Sequence, residues 1–289
     1  MDWTLEENGQ PDAVSIDLVG SRHLSGNGSL GLRGGLDESG KERLVATIIN
    51  GLYDRVGGKW REPVNAPNAM SFRLSVDGVN LDALDSPVHA HRQSLDFRHG
   101  IQSRETVFAL PGGGSLTMAS RRFVSLASER LLCAEYLVST DTPVDLIVSS
   151  GIDGDVWDIN GPHLGNFRSR RQGDTILLQA TTSEQGITVA VAETTCVANL
   201  PQGSQWREVG DGYSARREVH VVTRPGEVYR FTKFAIVTHG NPDCAGAALA
   251  ECQSAAEAGF EHWLAAQHTA WEARWKLCDI ALTGDSEAQ

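Results

Sequence analysis

Cysteine, tyrosine and methionine are scarce in this 289-residue sequence, at 5, 4 and 3 residues. The cysteines, Cys133, Cys196, Cys244, Cys252 and Cys278, are odd in number, scattered, and form no C-x-x-C pair. Neither a disulfide framework nor a zinc site is therefore indicated, and reduced thiols are expected. No run of 18 apolar residues occurs, so no membrane-spanning helix is expected. The opening MDWTLEENGQPDA has acidic residues where a secretory leader has basic ones, which makes a cytoplasmic location the expectation. Positive charge is also in deficit, with 25 Lys and Arg against 37 Asp and Glu and a formal net charge of −12. Such an exterior repels a phosphate backbone or an anionic lipid surface, so neither nucleic acid nor membrane is an expected partner.

From about residue 14 to 240 a long 3.6-residue hydrophobic period is missing as well, which excludes the crossover helices of a parallel α/β sheet. What is there instead is a series of short runs rich in Val, Ile, Leu, Phe and Thr, parted by Gly, Pro, Asn and Asp. The runs are LVATII (44 to 49), SFRLSVD (71 to 77), LTMASRRF (116 to 123), LLCAEYLV (131 to 138), VDLIVSS (144 to 150), TILLQA (175 to 180), ITVAVA (187 to 192), REVHVV (217 to 222) and VYRFTKFAIV (228 to 237). In SFRLSVD, Phe72, Leu74 and Val76 share one face and Arg73, Ser75 and Asp77 the other, as a half-buried strand requires. The pattern predicts a mainly β protein, a large antiparallel sandwich. With 40% apolar residues the chain can fill a core of that size.

Beyond residue 240 the composition turns alanine-rich and loses β-branched residues until Thr269, which predicts helix. Asn241 is placed to cap it, with Pro242 in its first turn. Phe260, Trp263, Leu264, Trp271 and Trp275 fall on one helical stripe that needs a surface to cover it. Gly259 either breaks this segment in two or bends it.

Gly26, Gly28 and Gly31 in GNGSLGLRGG have the G-x-G-x-x-G spacing of a dinucleotide turn. A strand reading of VSIDLV (14 to 19) ends too early for that motif, and Gly34 and Gly35 would spoil the helix that must follow. Tight turns and a close backbone approach between sheets are the reading here.

These residues do resemble a known family. GNGSLGLRG, GLYD (51 to 54), VNAPN (64 to 68), the VDG turn (76 to 78), SLDFRHGIQSRE (94 to 105), RRFVSLAS (121 to 128) and SGIDGDVWDINGPH (150 to 163) are similar, in order, to the N-terminal region of glycoside hydrolase family 65. FEHWLAAQHTAWEARW resembles that family's linker helices. The family contains inverting phosphorylases of maltose, trehalose, kojibiose and nigerose, with related hydrolases. The resemblance implies a β super-sandwich of the galactose mutarotase-like type at 1–240, linker helices at 241–278, and the approach to an α/α-barrel at 279–289. In that family the barrel carries the general acid and the phosphate site. This chain alone is then expected to be inactive, with no catalytic residue assigned to it. The implied partners are an α-linked glucose disaccharide, the barrel domain or subunit, and a second copy in a homodimer. No cofactor is implied beyond inorganic phosphate as co-substrate of a phosphorylase.

Asp153, Asp155 and Asp158 make the densest acidic cluster, beginning like a calcium loop, but Trp157, Asp158 and Leu164 occupy positions where that loop needs a ligand, a glycine and a glutamate. A solvated loop is one reading. The other is a substrate-binding loop, with Trp157 presenting a flat ring to a pyranose while Asp155, Asn160 and His163 offer hydrogen bonds. The family's sandwich has a loop near the barrel mouth, and this stretch is its expected counterpart. The WDINGPH wording inclines toward α-1,2 or α-1,3 glucosides such as kojibiose, nigerose or glucosylglycerol. His89 and His91 have metal-compatible spacing but no third ligand, and SPVHAHR reads as a loop. The pairs Arg121, Arg122 and Arg170, Arg171 are expected to be solvated or salt-bridged, and no G-x-S-x-G elbow is present. A different reading, a free-standing carbohydrate-binding module, would use Trp60, Trp157 and Trp206 as platforms. A third is purely architectural, half of a split or truncated enzyme.

Overall fold

The computed structural model describes residues 3–240, 243–279 and 284. The first part of the chain forms β1 (Thr4–Asn8), α1 (Ser15–Arg22), β2 (Ser25–Gly26), β3 (Leu30–Leu32), β4 (Thr47–Asp54), β5 (Glu62–Asn65), β6 (Phe72–Val76) and β7 (Val79–Leu81). There follow β8 (Val88–Asp96), β9 (Ile101–Ala109), β10 (Ser115–Val124), β11 (Leu131–Thr140), β12 (Asp145–Asp153), β13 (Leu164–Gln172) and β14 (Thr175–Thr182). The last strands are β15 (Thr188–Ala198), β16 (Arg207–Val209), β17 (Ser214–Val222) and β18 (Tyr229–His239), before α2 (Cys244–Ala258) and α3 (Phe260–Cys278). Among the described residues every strand pairing is antiparallel, as the missing helical period predicts.

One layer is a nine-stranded sheet in the order β1-β8-β9-β10-β11-β18-β15-β14-β13. The facing layer comes in two pieces, a five-stranded sheet β16-β17-β12-β6-β7 and a four-stranded sheet β2-β3-β4-β5. The main core lies between the layers, where Phe72 of β6 stacks on Tyr136 of β11 with ring centroids 3.8 Å apart and meets Phe231 of β18 edge-on at 5.5 Å. Each such ring leaves water completely, worth about 1.5–3 kcal/mol. Strand periodicity explains the arrangement: in β6 the residues Phe72, Leu74 and Val76 are buried while Arg73 and Ser75 are only half so.

The outer face of the large sheet is covered by α2. Cys244, Ala248, Leu249, Cys252 and Ala255 pack there on a second cluster that includes Phe123, Leu131, Cys133, Leu177 and Phe234. Small residues on α2 let it lie close to the sheet, so the alanine-rich composition serves packing as well as helix propensity. Asn241 and Pro242 lie outside the described residues. Gly259, at φ +83°, ends α2 and starts α3, so the segment is two helices.

One expectation fails: VSIDLV is not a strand but part of α1. Its apolar residues alternate as Val14, Ile16 and Leu18, yet Val14 and Leu18 are 87% and 53% exposed while Ile16 and Val19 are buried at helical spacing. The Asp12 carboxylate accepts the N–H groups of Val14 and Ser15 at 2.8 and 3.0 Å, fixing the chain where the helix begins. SPVHAHR is also corrected, because Val88 to Arg92 open β8.

The glycines of residues 26 to 35 make turns and close contacts. Gly26 and Gly31 face each other across the β2–β3 hairpin, and Gly28 takes φ +92° in the turn. Asn27 closes it, its side-chain oxygen accepting from Ser29 and Leu30 and its amide donating 2.8 Å to the Ser125 carbonyl just beyond β10. At Gly34 a Cβ would stand 2.4 Å from the His23 Cβ, so only glycine fits there.

Candidate functional site

The ten residues 154–163 connect β12 to β13 across the end of the sandwich, without regular secondary structure, and they hold the acidic and aromatic cluster. Their starting point is fixed by a two-way backbone bridge between Asp153 and Asn68, at 2.7 and 2.9 Å. Gly154 follows because a Cβ there would meet the Tyr213 carbonyl at 2.4 Å and the Phe167 ring at 2.6 Å. The Asn65 side chain, at the end of β5, donates 2.9 Å to the Trp157 carbonyl and accepts 2.8 Å from the Thr47 N–H. Gly161 precedes a cis bond to Pro162 and abuts the side chain of Asp158, whose carboxylate accepts the His163 N–H at 3.2 Å.

The hub is the β4–β5 hairpin, where Asp54 and Glu62 are cross-strand partners. The His163 ring, 0% exposed, sits with Nδ1 3.1 Å from Asp54 and Nε2 2.8 Å from Glu62. Asn160 adds its backbone N–H at 2.7 Å and its side-chain amide at 2.8 Å to Glu62. Asp54 also accepts the N–H groups of Ser183 and Glu184 at 3.1 and 2.9 Å, which ties in the β14–β15 turn. Burial works against charge at Glu62, but the hydrogen bonds from His163 and Asn160 outweigh it and hold the carboxyl below its ordinary 4.5. Burial also opposes charge on His163, and the bonds to Glu62 and Asp54 outweigh it to raise the imidazole above 6.5. Asp158 goes the other way, raised by burial.

The four expected sugar contacts therefore divide. Asp155 is exposed and ion-paired at 2.7 Å to Lys41, and Trp157 is half-buried beside it in sequence with only its carbonyl tied down. The Asn160 amide nitrogen is spent on Glu62. His163 is corrected outright: its ring reaches no solvent, because it holds the loop from beneath. The residues that sequence reasoning missed are Asp54, Glu62, Asn65, Ser183 and Glu184. Asp54 and Asn65 do stand in the GLYD and VNAPN segments, but nothing in their spacing shows that they converge on residue 163.

The three clustered aspartates turn to different partners, Asp153 at the end of β12 to Arg73 at 3.1 Å, Asp155 to Lys41 and Asp158 to its own loop. Among the described residues no group of three His, Cys, Asp or Glu is disposed to hold a metal. His91 is buried against Thr106 and Gln93, its pKa pushed down by burial to about 4, whereas His89 is exposed. A bulge in β8 between Val88 and Ala90 separates the environments of the two rings.

A second polar cluster lies between the sheets. Arg104 holds Glu38 through its two terminal guanidinium nitrogens, at 2.5 and 2.8 Å, and Arg122 holds Asp37 at 2.8 Å, with Tyr136 donating to the same Asp37 at 3.2 Å. The cavity beside Asp37, Arg104 and Arg122 is about 10 Å³, room for one water and none for a sugar. Trp206 is no free platform either, since the buried Arg217 guanidinium lies over its ring at 5.1 Å and it packs at the core edge.

Fold and site together define an antiparallel super-sandwich with a helical strut and one tightly built polar loop. The chain belongs to glycosyl hydrolase family 65: the model of that family's N-terminal domain matches residues 16–274. Nigerose phosphorylase of Lachnoclostridium phytofermentans is 32% identical over 313 aligned positions, which take in 100% of this chain and 41% of that protein. The 1,2-alpha-glucosylglycerol phosphorylase of Bacillus selenitireducens is 27% identical over 97% of this chain and 36% of its own length. A solved structure described as "Putative kojibiose phosphorylase from human microbiome" superposes with a TM-score of 0.83 over 95% of this chain and 38% of that one, at 15% identity, a likeness of fold. The chain thus spans about two fifths of the length of these two relatives. No helix among the described residues is long and apolar enough to cross a membrane.

Proposed function

We propose that this chain is the sandwich-and-strut portion of an α-glucoside phosphorylase, bracing a helical catalytic barrel and forming one wall of its sugar pocket. The observation that carries the reading is the match to nigerose phosphorylase, which runs through the whole of this chain but only 41% of that protein. Residues 1–240 are the sandwich and 241–278 the linker helices, with 279–289 leading toward the barrel. The reaction is phosphorolysis of an α-linked glucose disaccharide, with inorganic phosphate as co-substrate and no other cofactor. The named relatives act on nigerose and 1,2-alpha-glucosylglycerol, which supports the α-1,3 or α-1,2 preference read from WDINGPH. The protein works in the cytoplasm as a homodimer. The general acid comes from the barrel, and this chain supplies no group that breaks the bond.

The sugar-facing groups are Asp155 and Trp157, because they lie on the loop's outer stretch while Asn160 and His163 anchor it. In the longer phosphorylase that contains this chain, Trp157→Ala is expected to raise KM for the disaccharide about tenfold with little change in kcat, the signature of lost uniform binding. Unchanged kinetics would remove the loop from the pocket. A free-standing carbohydrate-binding module fits less well, since one of its three platforms, Trp206, is already covered by the Arg217 guanidinium.

A further inference from the structure

We infer that His163 is a latch, an imidazolium carrying protons on both ring nitrogens that clasps Asp54 of β4 and Glu62 of β5 and so fixes the 154–163 loop. The geometry sets the protonation state. A neutral imidazole has one N–H, and with acceptors 3.1 and 2.8 Å from its two nitrogens it would aim a lone pair at a carboxylate oxygen. The carboxyl oxygens in turn are surrounded by donors, which favour the ionised form of Glu62. Each of the four oxygens receives an N–H besides the ring's: Glu184 and Ser183 on Asp54, and the backbone and side chain of Asn160 on Glu62. A protonated carboxyl would have to turn its O–H toward one of those donors.

The clasp joins parts of the chain far apart in sequence, two strands of the four-stranded sheet, the loop and the β14–β15 turn. Ser183 closes the ring, its N–H donating 2.9 Å to the His163 carbonyl and its hydroxyl 3.0 Å to that of Pro162. The charged groups facing the imidazole are Asp54, Glu62 and, from the loop itself, Asp158. Glu184 stands one residue further out and is already paired with Arg55 and Arg61 at 2.7 and 2.8 Å. The imidazolium is thus the cation that offsets the carboxylates at the centre, and removing its proton leaves them without it.

The pH dependence follows with definite sign. The raised His163 contributes fully below its unfolded value of 6.5, and the contribution is lost as pH rises through the higher folded value. The lowered Glu62 contributes fully above 4.5, and that part is lost as pH falls through its lower folded value. The latch is therefore tightest between pH 4.5 and 6.5 and opens on the alkaline side by losing the imidazolium proton.

Nitrogen NMR of the ring-labelled chain tests this without any substitution. Both His163 nitrogens should be protonated at pH 6, with a titration midpoint above 6.5; a ring that loses its proton with a midpoint below 6.5 would overturn the latch. Amide exchange, corrected for the intrinsic rate, should be slowest at residues 155–161 and 163 between pH 4.5 and 6.5 and quicken as pH rises to 9, while β10 and β11 keep their protection. His163→Gln should show the fast exchange at every pH, and protection that stays flat to pH 9 in the unsubstituted chain would refute the proposal. The consequence for sugar binding rests on the reading in the preceding section and is checked separately. In the longer phosphorylase, KM should rise with the same alkaline midpoint. A loop that loosens while KM stays constant supports the latch and removes the sugar-wall reading.

Discussion

Arg121 and Arg122 are neighbours in sequence and do opposite things in the fold. Strand alternation sends Arg121 outward, where it bonds Glu135 at 2.6 Å and lies over the Phe260 ring of α3 at 5.2 Å, and sends Arg122 inward to Asp37. The expectation of salt-bridged arginines is thus met by two different structures, and the sequence shows neither partner because Asp37 and Glu135 are remote from the pair. Buried charge of this kind is invisible to composition, which counts acids and bases without pairing them. The inward cluster gives a direct test. Glu38 and Arg104 are both buried and meet in a bidentate pair that lowers the carboxyl and raises the guanidinium, burial opposing both shifts. Glu38→Gln would leave the buried guanidinium with only Asp37, 3.5 Å away and already held by Arg122, and breaking such a pair costs about 3–5 kcal/mol. Urea unfolding should show that loss as a lower midpoint; a change below about 1 kcal/mol would mean that the pair is not held as described.

At the scale of elements, eight of the nine runs read from the sequence lie on strands to within a residue at either end, and LVATII joins β4 only from Thr47, because a half-buried strand writes its alternation into about five to nine residues. The strands that escaped notice were short, such as β2, β3 and β16, or polar along much of their length, such as β13 with Arg168, Arg170 and Arg171. Helix α1 was misread for the reverse reason: its eight residues are too few for a 3.6-residue period to outweigh a chance alternation. The stripe of α3 was legible, and Phe260, Trp263, Leu264, Trp271 and Trp275 do face the sheet side, Trp275 donating 2.7 Å to the Arg98 carbonyl. The residue that pins this helix was not. Gln267, 0% exposed, accepts from the Leu126 N–H at 2.7 Å and donates to the His99 and Val124 carbonyls at 2.8 and 3.3 Å. Gln267→Ala should cost about 1–3 kcal/mol by stranding those groups, and amide exchange should show α3 loosening ahead of α2. Equal protection of the two helices in the variant would contradict this anchoring.

For the whole molecule, the mainly β class and the closing helices were readable because they are properties of pattern and composition, which are spread over many residues. The division of the second layer into five- and four-stranded sheets was not, since it depends on which strands pair, and pairing is a long-range property. The loop that carries the candidate site was found by its density of polar groups, while its anchors on the β4–β5 hairpin, about a hundred residues earlier, were supplied only by the fold. The same separation of labour runs through the function proposed here: the sandwich builds and holds a surface, and the bond is broken elsewhere. The most direct measurement is phosphorolysis by the purified 289-residue chain, with nigerose, kojibiose and 1,2-alpha-glucosylglycerol each supplied in inorganic phosphate. No glucose 1-phosphate above the protein-free control is expected. Sustained release proportional to protein concentration would place a general acid and a phosphate site within these residues and contradict the proposed function.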